Sequence, residues 1–403
     1  MKRATYTKYT KRWFREKIAE RKIVNNYGSF EKVFVRGRGA TLFDKNKNAY
    51  IDFIAGIGVN SLGHTFPPLM CALQSQVQKE IHISNYYFSD VGLQFADELL
   101  NATHFDGAYF GNSGAEANEA AIKLARKYGY QNGNRKTIYT LENSFHGRTI
   151  ATLSATGQTQ FHPDYFAPYV SEFKFIRAND WDELKKLNRN TSALIMECVQ
   201  GEGGVNLLDK KWAQAASEAA HEAGALVIAD EVQTGMGRCG ALLASDILEI
   251  NADVVTLAKG IAAGIPMGAC LFRNNASGVF VAGDHQSTFA GNPLACRAGL
   301  VVLETLQSEN FFDEINRKGK LIRSEIASWN LPIVKEVRGL GLMIGVQIAD
   351  NLKPFDVEAA CLDAGLCVST AGTNVIRFLP PLVISDDEIQ KGLAIFKNVL
   401  GHV

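Results

Sequence analysis

Residues 226–260 read LVIADEVQTGMGRCGALLASDILEINADVVTLAKG and contain two short apolar runs that each end at an ionisable residue. The run at 226–229 is followed by Asp230, and the run at 254–258 is followed by Lys259. Uniformly apolar runs of this length are typical of strands that are covered on both faces of a parallel sheet. The carboxyl ends of such strands meet at one edge, where α/β proteins bind their ligands. We therefore expect the Asp230 carboxylate and the Lys259 amine to face one site.

Other apolar runs of strand length alternate with longer helical patterns along the chain. They lie at 108–110, 137–141, 193–196 and 268–272. This alternation indicates an α/β fold, with a mostly parallel sheet covered by helices.

The pattern changes near residue 310. A helical segment at 311–329 is followed by short strands at 340–348 and 375–379, which indicates a small α+β domain. With 403 residues the chain exceeds a usual single core, so a second domain is expected. We assign 61–309 to a large α/β domain and 310–403 to the small domain. Residues 1–60 are expected to pack with the small domain.

Composition excludes several classes of protein. Basic and acidic residues both number 42 and no long basic face is present, so nucleic acid is not an expected partner. The seven cysteines form no CxxC pair and are expected to be reduced, mostly buried thiols. His221-Glu222 begins like HExxH, but Ala225 replaces the second histidine, so no metal site is predicted. No run could span a bilayer and no secretory signal opens the chain, which favours a cytoplasmic protein without a membrane partner.

The basic segment 1–22 carries Trp13, Phe14 and Ile18 at roughly helical spacing. A targeting peptide is one interpretation, but Glu16 and Glu20 in this segment count against it, because such peptides are poor in acidic residues. The interpretation that we favour is a surface helix whose aromatic residues pack on the body of the protein.

The acid and the lysine suit pyridoxal phosphate, whose aldehyde forms a Schiff base with a lysine and whose ring nitrogen needs an acid. Gly260 and Gly264 let the backbone approach Lys259 closely. Asp230 and Val232 point to the same side of an extended segment, so Val232 can pack on the ring. Two alternatives stay open: Lys259 can extend over apolar surface with its amine in water, and Asp230 can cap the next segment.

Two loops supply further candidates. Ser113, Gly114 and Ala115 open a helix, where free N–H groups and the helix dipole favour an anion such as phosphate. An ordinary tight turn capped by Ser113 explains the same residues. Phe145 can lie against a planar ligand and Arg148 can bind a carboxylate, although a core phenylalanine and a solvated arginine leave the same pattern.

The segment GMGRCG at 235–240 matches the dinucleotide-binding pattern GxGxxG. Residues 230–234 separate it from the strand, whereas a dinucleotide fold turns almost at once. The next strand ends at Lys259, where an acid should hold the ribose. A nicotinamide cofactor is therefore not predicted.

Taken together, a series of segments resembles the class III, or ornithine-type, aminotransferases. They are GNSGAEANEAAIKLAR at 111–126, SFHGR at 144–148, MECVQGEGG at 196–204, ADEVQTGMGR at 229–238, LAKG at 257–260 and STFAGNPLA at 287–295. The resemblance extends from YIDFIAGIGVNSLGH at 50–64 to VIRFLPPL at 375–382. It implies a fold-type I enzyme that depends on pyridoxal phosphate and has a seven-stranded sheet. Within the family the chain is most similar to the acetylornithine aminotransferases.

The resemblance also implies roles in the cofactor site. Lys259 would form the Schiff base and move the substrate proton, while Asp230 would keep the ring nitrogen protonated. Phe145 and Val232 would enclose the ring, and Gln233 would reach its hydroxyl. The other expected cofactor contacts are Ser113, Gly114 and Ala115 at the phosphate, His146, and Thr288 at the phosphate of the neighbouring subunit. An obligate homodimer follows from this sharing.

The substrate residues are implied in the same way. Arg148 would bind the far carboxylate of acetylornithine or 2-oxoglutarate, and Arg377 would bind the carboxylate nearest the reacting carbon. Glu202 would pair with Arg377 when acetylornithine is bound and release it for glutamate. Ser287 is also expected to contact the substrate.

The resemblance favours N2-acetylornithine and 2-oxoglutarate as substrates, in arginine biosynthesis. Ile57 occupies a position where ornithine δ-aminotransferases tend to carry a tyrosine that recognises the free α-amine, which favours an acylated substrate. Ornithine, N-succinylornithine, acetyl-lysine and 4-aminobutyrate remain possible substrates. A protein that binds the cofactor without turnover is the alternative from another class.

Overall fold

A computed structural model describes residues 13, 16, 17, 20, 23, 24, 26, 28 and 30–403. The expected N-terminal helix, with Phe14 and Ile18, and the question of a targeting segment fall largely outside these residues.

The strands of the described part are β1 Phe34–Arg38, β2 Thr41–Asp44, β3 Ala49–Asp52, β4 Gly107–Gly111, β5 Thr137–Leu141, β6 Phe173–Ile176, β7 Thr191–Met196, β8 Val199–Gln200, β9 Asn206–Leu207, β10 Leu226–Asp230, β11 Val254–Leu257, β12 Gly268–Phe272, β13 Val334–Leu340, β14 Met343–Ile348, β15 Leu366–Cys367, β16 Ser369–Ala371 and β17 Val375–Phe378. Its helices, apart from a short turn at Ala55–Gly58 and several 3₁₀ turns, are α1 Pro67–Gln76, α2 Asp90–Thr103, α3 Gly114–Gln131, α4 Ile150–Ala155, α5 Lys210–Glu222, α6 Ala244–Leu248, α7 Pro293–Leu306, α8 Phe311–Ser328, α9 Pro354–Asp363 and α10 Asp386–Leu400.

The largest sheet has seven strands in the order β4-β12-β11-β10-β7-β5-β6. In this sheet β12 runs antiparallel to the other six strands, which are parallel to one another. The predicted mostly parallel sheet is therefore confirmed, and each of the six predicted apolar runs forms one of its strands. The seventh strand, β6, was not predicted, because it lies at the edge of the sheet and its sequence FKFI places a charged residue between apolar ones.

Helix α3 covers the face of the sheet above the predicted site. Its buried stripe contains Ala117, Ala120, Ala121, Leu124, Ala125 and Tyr128, as the spacing predicts. The small alanine side chains let this helix lie close to β11 and β12. Because α3 begins directly after β4, its first turn stands at the carboxyl edge of the sheet.

Three smaller sheets complete the fold. One is the two-stranded sheet of β8 and β9, and another is the antiparallel sheet of β13, β14, β17 and β16. In the third, β15 pairs with β3, so the N-terminal strands share a sheet with a strand from beyond residue 310. The prediction of a single strand at 340–348 is wrong. The chain instead makes a hairpin of β13 and β14, because Gly341, with a φ of +50°, reverses its direction before Met343.

The segment at 235–240 takes part in packing between these units. Arg238 is buried, and its Nη1 donates to the carbonyl oxygens of Leu342 (2.9 Å) and Pro380 (2.6 Å). Through these two hydrogen bonds the segment after β10 contacts the turn that follows β13 and the residues that follow β17.

The cysteines agree with the expectation from the sequence. All seven are free, and only Cys71 is exposed. In the described ranges, no helix combines the length and the apolar character needed to cross a membrane.

Candidate active site

A cavity of about 470 Å³ opens at the carboxyl edge of the large sheet. Ten of the residues to which a site role was assigned line it: Ser113, Gly114, Ala115, Phe145, His146, Arg148, Asp230, Val232, Gln233 and Lys259. Glu202, Arg377 and Ser287 lie outside the lining, but hydrogen bonds connect them to residues that belong to it. Thr288 is exposed and stands apart from the cavity.

One end of the cavity is the start of α3. Ser113 is the N-cap, and its hydroxyl accepts a hydrogen bond of 3.2 Å from the Glu116 N–H. The N–H groups of Gly114 and Ala115 have no acceptor within the helix, as in any first helical turn. A Cβ on Gly114 would lie 2.6 Å from a methyl carbon of Val232, so this backbone approach requires glycine. Ser113 is therefore a cap, and the turn that it caps also provides free donors for an anion.

Asp230 forms the opposite end and is 3% exposed. Its Oδ2 accepts hydrogen bonds from Asn118 Nδ2 at 2.8 Å and from His146 Nδ1 at 2.6 Å. Its Oδ1 accepts from the Val232 N–H at 3.0 Å. Burial alone lowers the pKa of His146, but the hydrogen bond and charge of Asp230 and the charge of Glu197 raise it. The net effect is a pKa of His146 above its ordinary value, and the hydrogen bonds fix the orientation of the Asp230 carboxylate.

Two buried polar atoms near Asp230 have no hydrogen-bond partner in the described part of the chain: Asn118 Oδ1 and His146 Nε2. Buried polar atoms are normally paired. Since His146 lines the cavity, its unpaired nitrogen is an argument for a polar ligand there.

Phe145 and Val232 provide the apolar surfaces of the cavity. The Phe145 N–H donates to Glu197 Oε1 at 2.8 Å, which fixes the backbone beneath the ring. Burial raises the pKa of Glu197, and the nearby His146 opposes this effect. Glu197 and Asn118 were not among the predicted site residues. Glu197 follows the apolar run at 193–196 as Asp230 follows its own run, so the same strand-end rule could have identified it.

Lys259 follows β11 after one intervening residue, since the strand ends at Leu257 and not at 258 as predicted. Its φ of +45° is a left-handed conformation that costs free energy for a residue other than glycine. Burial lowers the pKa of Lys259, while the negative charge of Glu202 raises it in part. A lowered pKa increases the fraction of neutral amine, the form that adds to an aldehyde.

Arg377, Glu202 and Gln233 form a closed triangle beside the cavity. Arg377 Nη1 donates to Glu202 Oε1 at 2.6 Å and to Gln233 Oε1 at 3.0 Å. Gln233 Nε2 donates to Glu202 Oε1 at 3.2 Å. Burial alone raises the pKa of Glu202, but the charge and the hydrogen bond of Arg377 lower it. In this structure the hydrogen bonds of Gln233 go to the ion pair.

Arg148 is exposed at the mouth of the cavity and makes no hydrogen bond or ion pair with residues that the structure describes. Its guanidinium carbon lies 4.2 Å from the ring centroid of Phe161 and 5.4 Å from that of Phe145. Phe161 was not predicted, and its distance from the SFHGR segment along the chain left no sequence signal for this contact.

A hydrogen bond connects Ser287 to Asn112, which directly precedes the N-cap of α3. Its hydroxyl accepts from Asn112 Nδ2 at 2.8 Å, and its carbonyl oxygen accepts from Asn85 Nδ2 at 2.7 Å. Thr288, the next residue, has no hydrogen bond to the described residues and turns to solvent.

These features fit pyridoxal phosphate. The free donors at Gly114 and Ala115 suit its phosphate, and the apolar walls suit its ring. Asp230 suits the ring nitrogen, and the amine of Lys259 suits the aldehyde.

Comparisons with known proteins agree with this chemistry. The model of the aminotransferase class-III family matches residues 23–400. The acetylornithine aminotransferase of Haemophilus ducreyi is 42% identical over 385 residues, which cover 94% of this chain and 97% of that protein. A solved structure of N-acetylornithine aminotransferase from Stenotrophomonas maltophilia is 32% identical, with a TM-score of 0.82, over 94% of this chain and 98% of that one. A structure of ornithine aminotransferase from Toxoplasma gondii, in which PLP partly occupies the active site, is 31% identical with a TM-score of 0.91, over 97% and 94% of the two chains.

Proposed function

The chain belongs to the class III aminotransferases, and from that membership we propose that it transfers the δ-amino group of N2-acetyl-L-ornithine to 2-oxoglutarate. It is a transaminase that depends on pyridoxal phosphate. The products of the proposed reaction are N-acetylglutamate 5-semialdehyde and glutamate. The two half-reactions alternate in ping-pong order and serve arginine biosynthesis.

The ion pair between Arg377 and Glu202 is the observation that carries this proposal. The δ-amine of acetylornithine has no carboxylate on the carbon that reacts, whereas glutamate has one. A free, buried Arg377 would favour glutamate, and Glu202 removes that preference by neutralising it. The substrate glutamate can displace the Glu202 side chain, because the carboxylate on its reacting carbon then takes the place of Glu202 as the partner of Arg377. One site can therefore accept two kinds of amine in turn.

Each substrate also has a carboxylate far from its reacting carbon, and we assign it to Arg148. The guanidinium of Arg148 has no acidic partner among the described residues, so its donors are available to both substrates. Ser287, which is hydrogen-bonded to Asn112, is assigned to the same substrate space.

The cofactor, when bound, supplies an electron sink that stabilises charge on the substrate carbon bearing the amine. Lys259 would hold its aldehyde end and afterwards move the proton at that carbon. Asp230, oriented by His146, would hold the ring nitrogen, and Phe145 and Val232 would enclose the ring. The remaining assignments are Ser113, Gly114 and Ala115 to the phosphate and Gln233 to the ring hydroxyl.

We place Thr288 against the phosphate site of a second copy, which makes the enzyme a homodimer. Thr288 is exposed and does not line the cavity of its own chain, which supports this assignment. The neighbouring side chains of Tyr86, Tyr87 and Phe88 are 84%, 73% and 86% exposed, and such aromatic patches mark interaction surfaces.

The proposed organisation is the one expected from the sequence, with residues 1–60 packed against a small domain at 310–403 and a large domain at 61–309. The pairing of β3 with β15 supports the first of these associations.

We place the enzyme in the cytoplasm, where free thiols persist, and expect neither nucleic acid nor membrane as a partner.

Ornithine is the second candidate, because ornithine aminotransferases are among the similar structures. Ile57 counts against it, because the resemblance aligns this residue with a tyrosine of ornithine δ-aminotransferases, and a hydrocarbon side chain cannot accept a hydrogen bond from a free α-ammonium group. N-succinylornithine, acetyl-lysine and 4-aminobutyrate complete the set of candidate amines.

Purified enzyme with bound cofactor tests the assignment when kcat/KM is measured for each amine with 2-oxoglutarate as acceptor. Acetylornithine should give the highest value. A clear preference for ornithine would overturn the choice of substrate, and transfer from none of these amines would indicate a protein that only binds the cofactor.

A further inference from the structure

The two arginines of the site are held in opposite ways. Arg377 is buried in an ion pair with Glu202, whereas Arg148 has no acid or hydrogen-bond acceptor among the residues that the structure describes. The contacts of the Arg148 guanidinium are with aromatic rings, 4.2 Å from Phe161 and 5.4 Å from Phe145. The closer of these rings belongs to a residue without an assigned role.

The type of contact decides what a substrate must displace. A carboxylate partner would occupy the N–H donors of Arg148 and would have to leave before a substrate carboxylate could bind. An aromatic face attracts a guanidinium through its ring electrons and leaves those donors unused. Arg148 is therefore fixed in position while its five donors remain available.

The 3₁₀ turn that carries Phe161 packs against the loop that carries Phe145, on the other side of α4 in the sequence. Phe161 ends the 3₁₀ turn Thr159–Phe161, and its ring meets that of Phe145 edge to face, at 5.8 Å and 74°. Gln158, which precedes this turn, is buried, and its side-chain amide donates to the Ser144 carbonyl oxygen at 3.2 Å. A Cβ on Gly157 would lie 2.0 Å from the Leu141 carbonyl oxygen, so the two segments are packed without free space.

We propose that Phe161 is a positioning residue for the substrate carboxylate, because its ring fixes Arg148 without occupying the donors that both substrates need. The inference rests on the proposed role of Arg148. It explains why the two arginines differ. Arg377 serves one of the two substrates and is switched by Glu202, whereas Arg148 serves both and needs no switch.

The test compares Phe161→Leu, which removes the aromatic face, with Phe161→Tyr, which keeps it. In the leucine variant the KM for 2-oxoglutarate and for acetylornithine should each rise about fivefold, which corresponds to about 1 kcal/mol, with little change in kcat. The tyrosine variant should stay close to the wild type. Phe161→Met also lacks an aromatic ring, and the same rise in both KM values is expected. It provides the test if Phe161→Leu is too unstable to assay.

Pentylamine, an amine without any carboxylate, separates positioning of Arg148 from general damage to the pocket. Its half-reaction, followed by the absorbance of the bound cofactor, should be the same in the wild type and in Phe161→Leu. The matched control is Phe166→Leu, in the next 3₁₀ turn, whose ring is 51% exposed. This control should leave both KM values unchanged.

Three results would overturn the inference: an unchanged KM in Phe161→Leu and Phe161→Met, an equal loss in Phe161→Tyr, or an equal loss with pentylamine. Because 2-oxoglutarate is the acceptor for every candidate amine, its KM reports on Phe161 even if acetylornithine is not the preferred donor. A failure of the proposed substrate is therefore distinguishable from a failure of this inference.

Discussion

The Nη1 atom of Arg377 lies 2.6 Å from the Oε1 atom of Glu202, although the two residues are 175 positions apart in the chain. The arginine comes from β17 and the glutamate from the loop between β8 and β9, so the pair connects the antiparallel sheet to the two-stranded sheet of β8 and β9. Gln233 contacts both partners and also lines the cavity. A change at either charge is therefore expected to alter substrate preference.

Replacement of Glu202 by Gln should shift the enzyme toward glutamate. The variant leaves the buried charge of Arg377 without its partner until a substrate carboxylate arrives. The ratio of kcat/KM for glutamate to that for acetylornithine should rise at least about tenfold. Glu314→Gln, which weakens an exposed pair with Arg317, is the control and should leave the ratio unchanged. If Glu202→Gln also leaves it unchanged, the switching role is wrong.

Replacement of Gly114 by Ala should weaken binding of the cofactor. The added methyl group would lie 2.6 Å and 3.1 Å from the two methyl carbons of Val232, so the start of α3 must shift. We expect the Kd for pyridoxal phosphate to rise at least about tenfold in an equilibrium titration, because the phosphate donors lose their alignment. Gly401→Ala is the matched control, because Gly401 has a φ of −78° and an added Cβ would make only ordinary contacts, 3.5 Å and 3.6 Å from two carbonyl oxygens. Wild-type affinity in Gly114→Ala would contradict the assignment of this turn.

Replacement of His146 by Leu should reduce kcat at least about tenfold, because Asp230 loses the hydrogen-bond partner at 2.6 Å that orients its carboxylate. Steady-state rates at saturating substrate provide the measurement. His402→Leu removes an exposed histidine far along the chain and should have no effect. A wild-type kcat in His146→Leu would show that Asp230 does not depend on this contact.

The rate at which the cofactor-free enzyme takes up pyridoxal phosphate should increase with pH. Only the neutral amine of Lys259 adds to an aldehyde, and the lowered pKa places this increase below the ordinary lysine value of 10.5. Since the charge of Glu202 raises this pKa, Glu202→Gln should move the midpoint to lower pH. Absorbance after rapid mixing gives the rate. A midpoint at or above the ordinary value, or a shift to higher pH in the variant, would contradict the assignment.

Replacement of Lys259 by Ala should reduce turnover at least about a thousandfold, because covalent anchoring and proton transfer are both lost. Lys210→Ala removes an exposed amine that is paired with Glu249 and provides the control. Near-normal turnover in Lys259→Ala would rule out the proposed mechanism.

The sequence predicted those parts of the site that a local pattern encodes. Asp230 is the last residue of a buried strand and Lys259 comes just after another. Parallel strands bring their carboxyl ends to one edge, so the convergence of the two residues required no knowledge of distant contacts. Ser113 was open to two interpretations, as a cap and as an anion site, and the geometry accommodates both.

Contacts between distant segments left no local signal. The pairing of Glu202 with Arg377 was expected only because the chain resembles a known family. The contacts of Asn118 with Asp230 and of Phe161 with Arg148 depend on how a helix and a 3₁₀ turn pack against the sheet. The hairpin of β13 and β14 was missed because a single glycine, Gly341, reverses a run of otherwise strand-like sequence.

The central claim is that Lys259 is the residue that holds pyridoxal phosphate. Reduction of the cofactor-bound enzyme with borohydride fixes the cofactor to the amine that carries it, and mass spectrometry of the digested protein identifies that residue. We predict the pyridoxyl modification on Lys259 alone, and its loss when acetylornithine is added before the reductant. Modification of a different lysine, or of none, would contradict the account.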